Sequence, residues 1–157
     1  MKLTKGEARG ILEGVVAIIN GFEGKYELLH ALNRNRTKLK ILAEEIAEMY
    51  EVNKKFRQTQ QLKYCAKDKD GKPIVHNHPI MQGEKEIGRN TFYEGLERGL
   101  NPEYDDEMDK VAEAEKARMK EPFEFEPYMI KPECLPKEIK EGLGVAYVAI
   151  MPLIEEK

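Results

Sequence analysis

A row of mostly apolar residues that recurs every three or four positions most constrains the fold of this chain. The row consists of Leu28, Leu32, Asn35, Leu39, Leu42, Ile46, Met49, Asn53 and Phe56. Alternating steps of four and three residues give the 3.5-residue period of a coiled-coil seam. We therefore predict one long helix from Lys25 to about Leu62, which would be about 57 Å long at 1.5 Å per residue.

Such a long helix cannot bury its seam alone, so it needs a partner helix. That partner is either the first helix of the chain folding back or the same helix of a second subunit. Because the first helix is too short to cover the whole seam, the pattern favours a homo-oligomer, and the nine seam residues are the predicted interaction residues. Asparagines at seam positions can fix the register of two helices, and Asn35 and Asn53 are the candidates.

The first helix is predicted from a capping box, in which Thr4 is followed three residues later by Glu7. Its glycines, Gly6, Gly10 and Gly14, lie on the side opposite its apolar face. Each glycine costs about 1 kcal/mol of helix stability relative to alanine. One explanation for this cost is the close approach of another helix; the other is a marginal helix that is held by its apolar face.

The middle of the chain changes from a helical to an extended pattern. Apolar residues flank Asp68–Gly71 on both sides, in an arm from Leu62 to Ala66 and an arm from Pro73 to His76, and predict a short two-stranded ribbon around a tight turn. We expect a loop from Asn77 to Gly99, with a single helical turn capped by Thr91. The predicted regions are 1–62 (helical), 63–100 (hairpin and loop) and 101–157, all within one domain.

The last region begins with Asn101-Pro102, which is typical of a helix start, with asparagine at the cap. This acidic helix should end before Pro122. The prolines around Phe123 and Phe125 predict an edge strand, and an apolar helix should follow over Leu143–Ile154, bent or ended by Pro152. The fold class is therefore mainly α, of the α+β type, with a small β-ribbon.

The charge is distributed unevenly along the chain. Residues 1–67 contain 13 Lys and Arg against 8 Asp and Glu, whereas the remainder contains 13 against 21. Such asymmetry suits self-association or a charged partner. The basic residues of the long helix (Arg34, Arg36, Lys38 and Lys40) leave nucleic-acid binding open as an alternative. Residues 101–133, with 11 acids against 5 bases, leave open an inhibitor that mimics DNA.

Metal and catalytic motifs are weak or missing in the sequence. Cys65, His76, His78 and Cys134 are the candidate zinc ligands, but they lack the paired spacing typical of zinc sites. The chain contains no serine, and no phosphate-binding glycine loop is present. We therefore predict that the protein is not an enzyme, that it needs no cofactor and that it acts by contact with other proteins.

The expected compartment is a cytoplasm. Arg9 and Glu13 interrupt the apolar residues near the N-terminus, so a secretion signal is not expected. No apolar run approaches the roughly 20 residues that span a bilayer, so we expect no membrane association. Two cysteines are too few for a disulfide framework, and we expect both thiols to be reduced.

Several short segments resemble a family of small uncharacterised proteins of tailed bacteriophages and prophages. They are the Met-Lys-Leu-Thr start, the long charged helix, residues 64–75 (Tyr-Cys-Ala-Lys-Asp-Lys-Asp-Gly-Lys-Pro-Ile-Val), the acidic helix, Phe123-Glu124-Phe125, residues 135–139 and residues 151–156. The resemblance covers most of the chain, although residues 77–99 look like an insertion. It implies a viral protein that binds itself and other phage or host proteins, as a virion component or assembly accessory, or as an inhibitor of a host defence or nucleic-acid enzyme. The family implies no catalytic residues.

Overall fold

The computed structural model describes residues 1–156, and the chain divides into two compact units. Unit 1 contains Met1–Glu48 and the segment from Lys116 onward, and unit 2 contains Met49–Glu115. Helices predominate and two short antiparallel sheets accompany them, so the predicted mainly helical α+β class is confirmed. The predicted region boundaries at residues 62 and 100 both fall inside unit 2.

Unit 1 begins with strand β1 (Lys2–Thr4) and helix α1 (Lys5–Asn20). The predicted capping box is confirmed: the Glu7 amide donates to the Thr4 hydroxyl at 3.2 Å, and the Thr4 amide donates to the Glu7 carboxylate at 2.7 Å. These bonds satisfy main-chain donors that a helix start leaves unpaired. The long helix α2 spans Tyr26–Tyr64, within two residues of the prediction at each end, and its first part belongs to unit 1.

The apolar core lies in unit 1 and is built from α1, the first part of α2 and the C-terminal segment. The core residues are Ala8, Ile11, Val15, Ile18, Leu28, Ala31, Leu32, Leu39, Leu42, Ile46, Ile130, Ala146, Tyr147, Ile150 and Leu153. The apolar seam of α2 therefore packs against elements of the same chain, namely α1 and the C-terminal segment. The shortness of α1 does not leave the first six seam positions open, because the C-terminal residues also pack onto them.

The C-terminal half of unit 1 contains the strand Pro122–Glu124, a 3₁₀ turn at Pro132–Cys134, the helix Gly144–Ala149 and a second 3₁₀ turn at Met151–Leu153. The Pro122–Glu124 strand pairs with β1 in antiparallel register, with Leu3 opposite Phe123. The strand was predicted, but β1 was not. The apolar C-terminal helix is shorter than Leu143–Ile154, because Pro152 tightens its end into the 3₁₀ turn.

Unit 2 contains the second part of α2, strands β2 (Val75–Gln82) and β3 (Lys85–Tyr93), and the first part of helix α3 (Pro102–Lys120). We number the Pro122–Glu124 strand β4 and the Gly144–Ala149 helix α4. The Tyr104 amide donates to the Asn101 side chain at 3.1 Å, so the predicted asparagine cap of α3 is present. The α3 helix ends at Lys120, as predicted.

The prediction of a loop from Asn77 to Gly99 is wrong, because most of that segment forms the β2–β3 hairpin. The predicted turn at Asp68–Gly71 exists, with the Asp68 amide donating to the Lys72 carbonyl at 2.9 Å, but it closes only a single bridge between Lys67 and Pro73. The prediction of an extended arm from Leu62 to Ala66 is wrong for Leu62 through Tyr64, because α2 continues to Tyr64. Thr91 lies within β3 and caps no helix.

Candidate interaction surfaces

The predicted seam is buried over its first six positions. Leu28, Leu32, Asn35, Leu39 and Leu42 have no exposed surface, and Ile46 is 7% exposed. In unit 2, Met49 is half-buried, Asn53 donates to the Glu115 carboxylate at 2.9 Å, and Phe56 is 37% exposed. Since the first six side chains form the core of unit 1, they are not available to a second molecule in this conformation.

One surface of unit 1 is apolar and open to solvent. It consists of Ile139, Val145, Val148 and Met151, which we call the outer α4 surface. Val145 is 84% exposed, and the other three are more than half exposed. The opposite side of the same segment, with Ala146, Tyr147, Ile150 and Leu153, packs into the core. Residues 142–154 contain no charged side chain, so this segment is apolar all round.

A shallow cleft of about 260 Å³ lies beside this surface. Its lining residues are Leu135, Pro136, Ile139, Gly144, Tyr147, Val148, Met151 and Ile154. Tyr147 packs into the core, and this burial raises the pKa of its phenol because the phenolate would lose hydration. The cleft offers space for a large apolar side chain and no group for acid–base chemistry near neutral pH.

A second, more polar groove of about 650 Å³ runs between α1 and α2 in unit 1. Leu12, Val16, Ala43 and Ala47 are its apolar lining residues. Its polar lining consists of Asn33, Arg36, Thr37, Lys40 and Glu44, and the Lys40 ammonium lies 3.5 Å from the Glu44 carboxylate. Polar atoms make up a larger share of its lining than of the lining of the cleft beside the outer α4 surface.

Most of the predicted basic face on α2 is already engaged within unit 1. The Arg34 guanidinium lies 5.2 Å from the centre of the Tyr128 ring, and the Lys38 ammonium donates to the Glu126 carbonyl at 2.6 Å. Lys40 pairs with Glu44, as described above. A basic helix that tracks a phosphate backbone needs its cations available for phosphate contacts. This arrangement gives little support to nucleic-acid binding.

An ion cluster joins three elements of unit 1. The nearly buried Lys5 ammonium lies 2.8 Å from the Glu121 carboxylate and also contacts Glu45, and Arg118 contacts both carboxylates. The hydrogen bonds that Lys5 donates to Glu121 and, to a lesser extent, to Glu45 raise the pKa of Lys5, and the same bonds lower the pKa of each carboxyl. These pKa shifts arise from ion pairs within the cluster. None of its four residues lines the cleft or the groove.

The four candidate zinc ligands are not assembled into a site. Cys134 belongs to unit 1, whereas Cys65, His76 and His78 belong to unit 2. Cys65 is buried and His76 contacts Glu94 at 3.5 Å. Over residues 1–156, no group of three or more histidine, cysteine or acidic side chains is placed to hold a metal ion. The two histidines instead stack on the ring of Phe92, at 5.4 and 5.1 Å between ring centres.

The β2–β3 hairpin of unit 2 is open to solvent on both faces. Every residue of β2 is exposed, and so are all residues of β3 except Gly88 and Tyr93, which are half-buried. Thr91 donates its hydroxyl to the Asn77 side chain on one face, and Phe92 lies between the two histidines on the other. No apolar core supports either face, so the hairpin is a second candidate interaction element.

No match was found among protein-family models, curated proteins or solved structures. Likewise, none of the helices within residues 1–156 combines the length and apolar character that crossing a bilayer requires. The assignment of surfaces therefore rests on geometry. The sequence already contained a signal for the outer α4 surface, namely the uncharged run at 142–154, but we interpreted it only as a short apolar helix.

Proposed function

We propose that this protein acts by binding another protein, without catalysis, and that the outer α4 surface is the contact site. The supporting observation is the exposure of four large apolar side chains on a segment whose other side is core. Soluble proteins rarely expose contiguous apolar patches unless those patches bind something. A helix that is apolar all round is normally buried on all sides. The exposed side of α4 is therefore a surface that a partner would cover.

The occupant that fits this surface is an amphipathic helix of a different protein, with basic residues flanking its apolar face. Val145, Val148 and Met151 follow one another at three-residue steps, which places them along one side of the segment. The residues on either side of the apolar run carry Glu138, Glu141, Glu155 and Glu156 against Lys137, Lys140 and Lys157. Since Lys140 is already paired with Glu23 at 3.0 Å, the rim is acidic overall.

The resemblance to small phage proteins suggests where such a contact would operate. A virion component or assembly accessory in the host cytoplasm would bind a second phage protein, whereas an inhibitor would bind a host enzyme. The inhibitor alternative relied on an acidic surface that resembles DNA. Within unit 2, however, Asp109 is paired with Arg98, Asp106 with Lys110 and Glu115 with Arg57. Because three of the seven carboxylates between Asn101 and Glu115 are paired with neighbouring cations, we favour the assembly role.

A peptide-binding titration tests the surface. The probes are a model helical peptide with a leucine face flanked by lysines and its counterpart with glutamate flanks. We expect the lysine-flanked peptide to bind the intact chain more tightly. The substitution Val148→Glu should weaken binding about tenfold or more, because a charge would be buried in the contact. Val52→Glu is the matched control, because Val52 is 60% exposed on α2 and belongs to unit 2, whereas the outer α4 surface belongs to unit 1.

Three results would overturn the proposal: no binding of either peptide, equal loss in both variants, or unchanged affinity in Val148→Glu. A photo-crosslinking residue at Val145 of the intact chain, used in cells that produce it, distinguishes the occupants. Crosslinks to a different polypeptide that Val148→Glu removes support the proposal. Crosslinks only to further copies of this chain contradict it, because the surface would then be a self-association site.

A further inference from the structure

The β2–β3 hairpin lacks a structural partner. Its two strands contact mainly each other, and the residues on both faces are exposed. An isolated two-stranded ribbon is marginally stable in water, and a third strand or a packed layer is normally needed. Its base is fixed by hydrogen bonds at Ala66, whose amide donates to the Glu94 carbonyl at 2.9 Å and whose carbonyl accepts from Ile74 at 3.0 Å. The strands beyond that base have open edges.

The two edges of the ribbon differ in their capacity to accept another strand. The Glu94 amide donates to the Ile74 carbonyl at 3.0 Å, so the main-chain groups of this pair point inward. In an antiparallel ladder inward and outward pairs alternate. Since Val75 is opposite Tyr93, Asn77 opposite Thr91, and Pro79 opposite Arg89, these three pairs point their main-chain groups outward.

Proline protects one of these edges. Pro79 has no N–H, so the outer edge of β2 lacks a donor in its middle, and prolines on edge strands commonly prevent further pairing. The outer edge of β3 has no proline and presents the amides of Arg89, Thr91 and Tyr93. Exposed strand edges of this kind are templates for pairing with another chain. A third strand would therefore join β3.

We propose that this third strand is β3 of a second copy, so that two hairpins form a four-stranded antiparallel sheet around a two-fold axis at Asn90. In this register the outward-pointing main-chain N–H and C=O groups of one β3 lie opposite those of the other. Arg89, for example, faces Thr91 of the second copy. The pairing then holds on both sides of the axis, as a two-fold interface requires. This inference goes beyond the proposed function, because it concerns unit 2 and uses none of the outer α4 surface.

Side-chain complementarity favours the second copy as the occupant. In this register Phe92 lies opposite Gly88 of the second copy, in a pair of the closer, non-hydrogen-bonded type. A side-chain carbon at Gly88 would have only Ile80 within 4 Å, at 3.8 Å, so the surface over the glycine is open to the exposed Phe92 ring. Ile87 lies opposite Tyr93 of the second copy, an aliphatic–aromatic pair that stabilises sheets. Over residues 87–93 no like charges face each other, and the only like-charge pair of this register, Glu86 opposite Glu94 of the second copy, lies at its ends, where Glu86 is bonded to Arg89 and Glu94 contacts His76.

Proline substitutions on the two edges give a matched test. Thr91→Pro removes an outward amide from β3, and Asn77→Pro removes the outward amide of the residue directly opposite on β2. Both variants lose the same Thr91–Asn77 side-chain hydrogen bond. Analytical ultracentrifugation of the full chain over a range of concentrations should show a dimer. Thr91→Pro should shift it to monomer, and Asn77→Pro should leave it intact. A wild-type monomer at all concentrations, or a dimer that survives Thr91→Pro, would overturn the inference.

Disulfide trapping covers the case in which both proline variants unfold. The full chain with Cys65 and Cys134 replaced by alanine would carry a single new cysteine, either Asn90→Cys or His78→Cys. The two-fold axis places the two Asn90 Cα atoms about 4.5 Å apart, within the range that a disulfide spans. Mild oxidation should link two copies through Asn90→Cys, while His78→Cys, at the paired position on β2, should not link. Equal linking of both, or none of Asn90→Cys, would contradict the proposed pairing.

Discussion

The side-chain amide of Asn35 is bonded to both main-chain polar atoms of Tyr128. The Tyr128 amide donates to Oδ1 of Asn35 at 2.8 Å, and Nδ2 of Asn35 donates to the Tyr128 carbonyl at 2.7 Å. The same nitrogen donates to the Ala31 carbonyl at 3.0 Å. Asn35 has no exposed surface, so it pairs with the extended segment as a neighbouring strand would. This contact attaches the C-terminal segment of unit 1 to α2.

Replacing Asn35 should therefore destabilise the protein strongly. Asn35→Ala removes a fully buried side chain and leaves the part-buried amide and carbonyl of Tyr128 without their partner, which we expect to lower the free energy of unfolding by about 1–3 kcal/mol. Asn33→Ala is the control, because exposed Asn33 donates to the Leu29 carbonyl one turn back in the same way as Asn35 does to Ala31. Its effect should stay within about 0.5 kcal/mol. Equal effects in urea denaturation would show that the Tyr128 contact is not stabilising.

The glycines of α1 provide a second matched pair. A Cβ at Gly14 would lie 2.8 Å from the Ala146 carbonyl oxygen and 2.9 Å from the Ala149 Cβ, whereas a Cβ at Gly10 would meet nothing within 4 Å. Gly14→Ala should therefore cost about 1–3 kcal/mol through overpacking against α4. Gly10→Ala should raise stability by up to about 1 kcal/mol through helix propensity. Thermal unfolding of both variants measures the difference, and a stabilising Gly14→Ala would contradict the close packing of the two helices.

These residues show how far sequence reasoning reached in unit 1. Local signals were sufficient for the capping box at Thr4 and for the length of α2, because both depend on residues that are near in sequence. Two explanations were given for the α1 glycines, and close approach of another helix explains Gly14. It does not explain Gly10, which has no neighbour within 4 Å of an added Cβ. The burial of Asn35 also followed from its seam position. The contact of Asn35 with Tyr128 could not be predicted, because main-chain atoms of a distant extended segment leave no periodic pattern in the sequence.

The hairpin was missed for a different physical reason. A strand packed on a core alternates apolar and polar residues, and that alternation is the signal for a strand. Both faces of β2 and β3 are exposed, so apolar side chains such as Val75 and Ile80 fall on both faces and no alternation arises. Pro79 and the central Gly83–Glu84 turn were interpreted as loop residues. A ribbon without a core therefore resembles a loop in sequence.

The cluster around Lys5 predicts a specific dependence of stability on pH. The pKa values of Glu45 and Glu121 lie below the ordinary value of 4.5, because each carboxylate is bonded to Lys5. Their stabilising contribution is therefore present above pH 4.5 and is lost as the pH falls through the lowered pKa values. The pKa of Lys5 is raised above 10.5, so its contribution is complete below that pH and is lost as the pH rises through the raised value.

The variant Lys5→Met isolates this effect. It keeps the length of the side chain and removes the charge that lies between the two carboxylates. We expect it to be less stable than the wild type at pH 7 and the stability difference to shrink when both are unfolded below pH 4, where the carboxyls become protonated. Lys2→Met, which removes a charge from an exposed pair with Glu124, is the control and should show little difference at either pH. A difference for Lys5→Met that does not change with pH would show that the charge network is not its cause.

Leu42 tests whether the buried seam serves folding or association. It lies in the core with no exposed surface, and its neighbour Ile41 is 69% exposed on the same helix. Leu42→Ala should lower the free energy of unfolding by about 2–5 kcal/mol through loss of buried contacts and a residual cavity. Ile41→Ala should change it by less than about 0.5 kcal/mol. Light scattering of the folded fraction should show the wild-type oligomeric state in both variants, since both residues belong to unit 1 and β3 belongs to unit 2. A folded Leu42→Ala protein with altered oligomeric state would instead support association through the seam.

The uneven distribution of the core predicts that the two units open at different free energies. All 15 residues of the apolar core cluster belong to unit 1, whereas in unit 2 only Cys65 and Tyr104 are buried. Regions with few buried apolar contacts open locally below the free energy of global unfolding. Hydrogen exchange followed by mass spectrometry should therefore show amides of β2 and β3 exchanging well before those of α1 and the first part of α2. Because pairing through β3 would protect its outward amides, exchange at Arg89, Thr91 and Tyr93 should slow with protein concentration, and exchange at Asn77 should not. Uniform exchange in both units would contradict the assignment of the core to unit 1 alone.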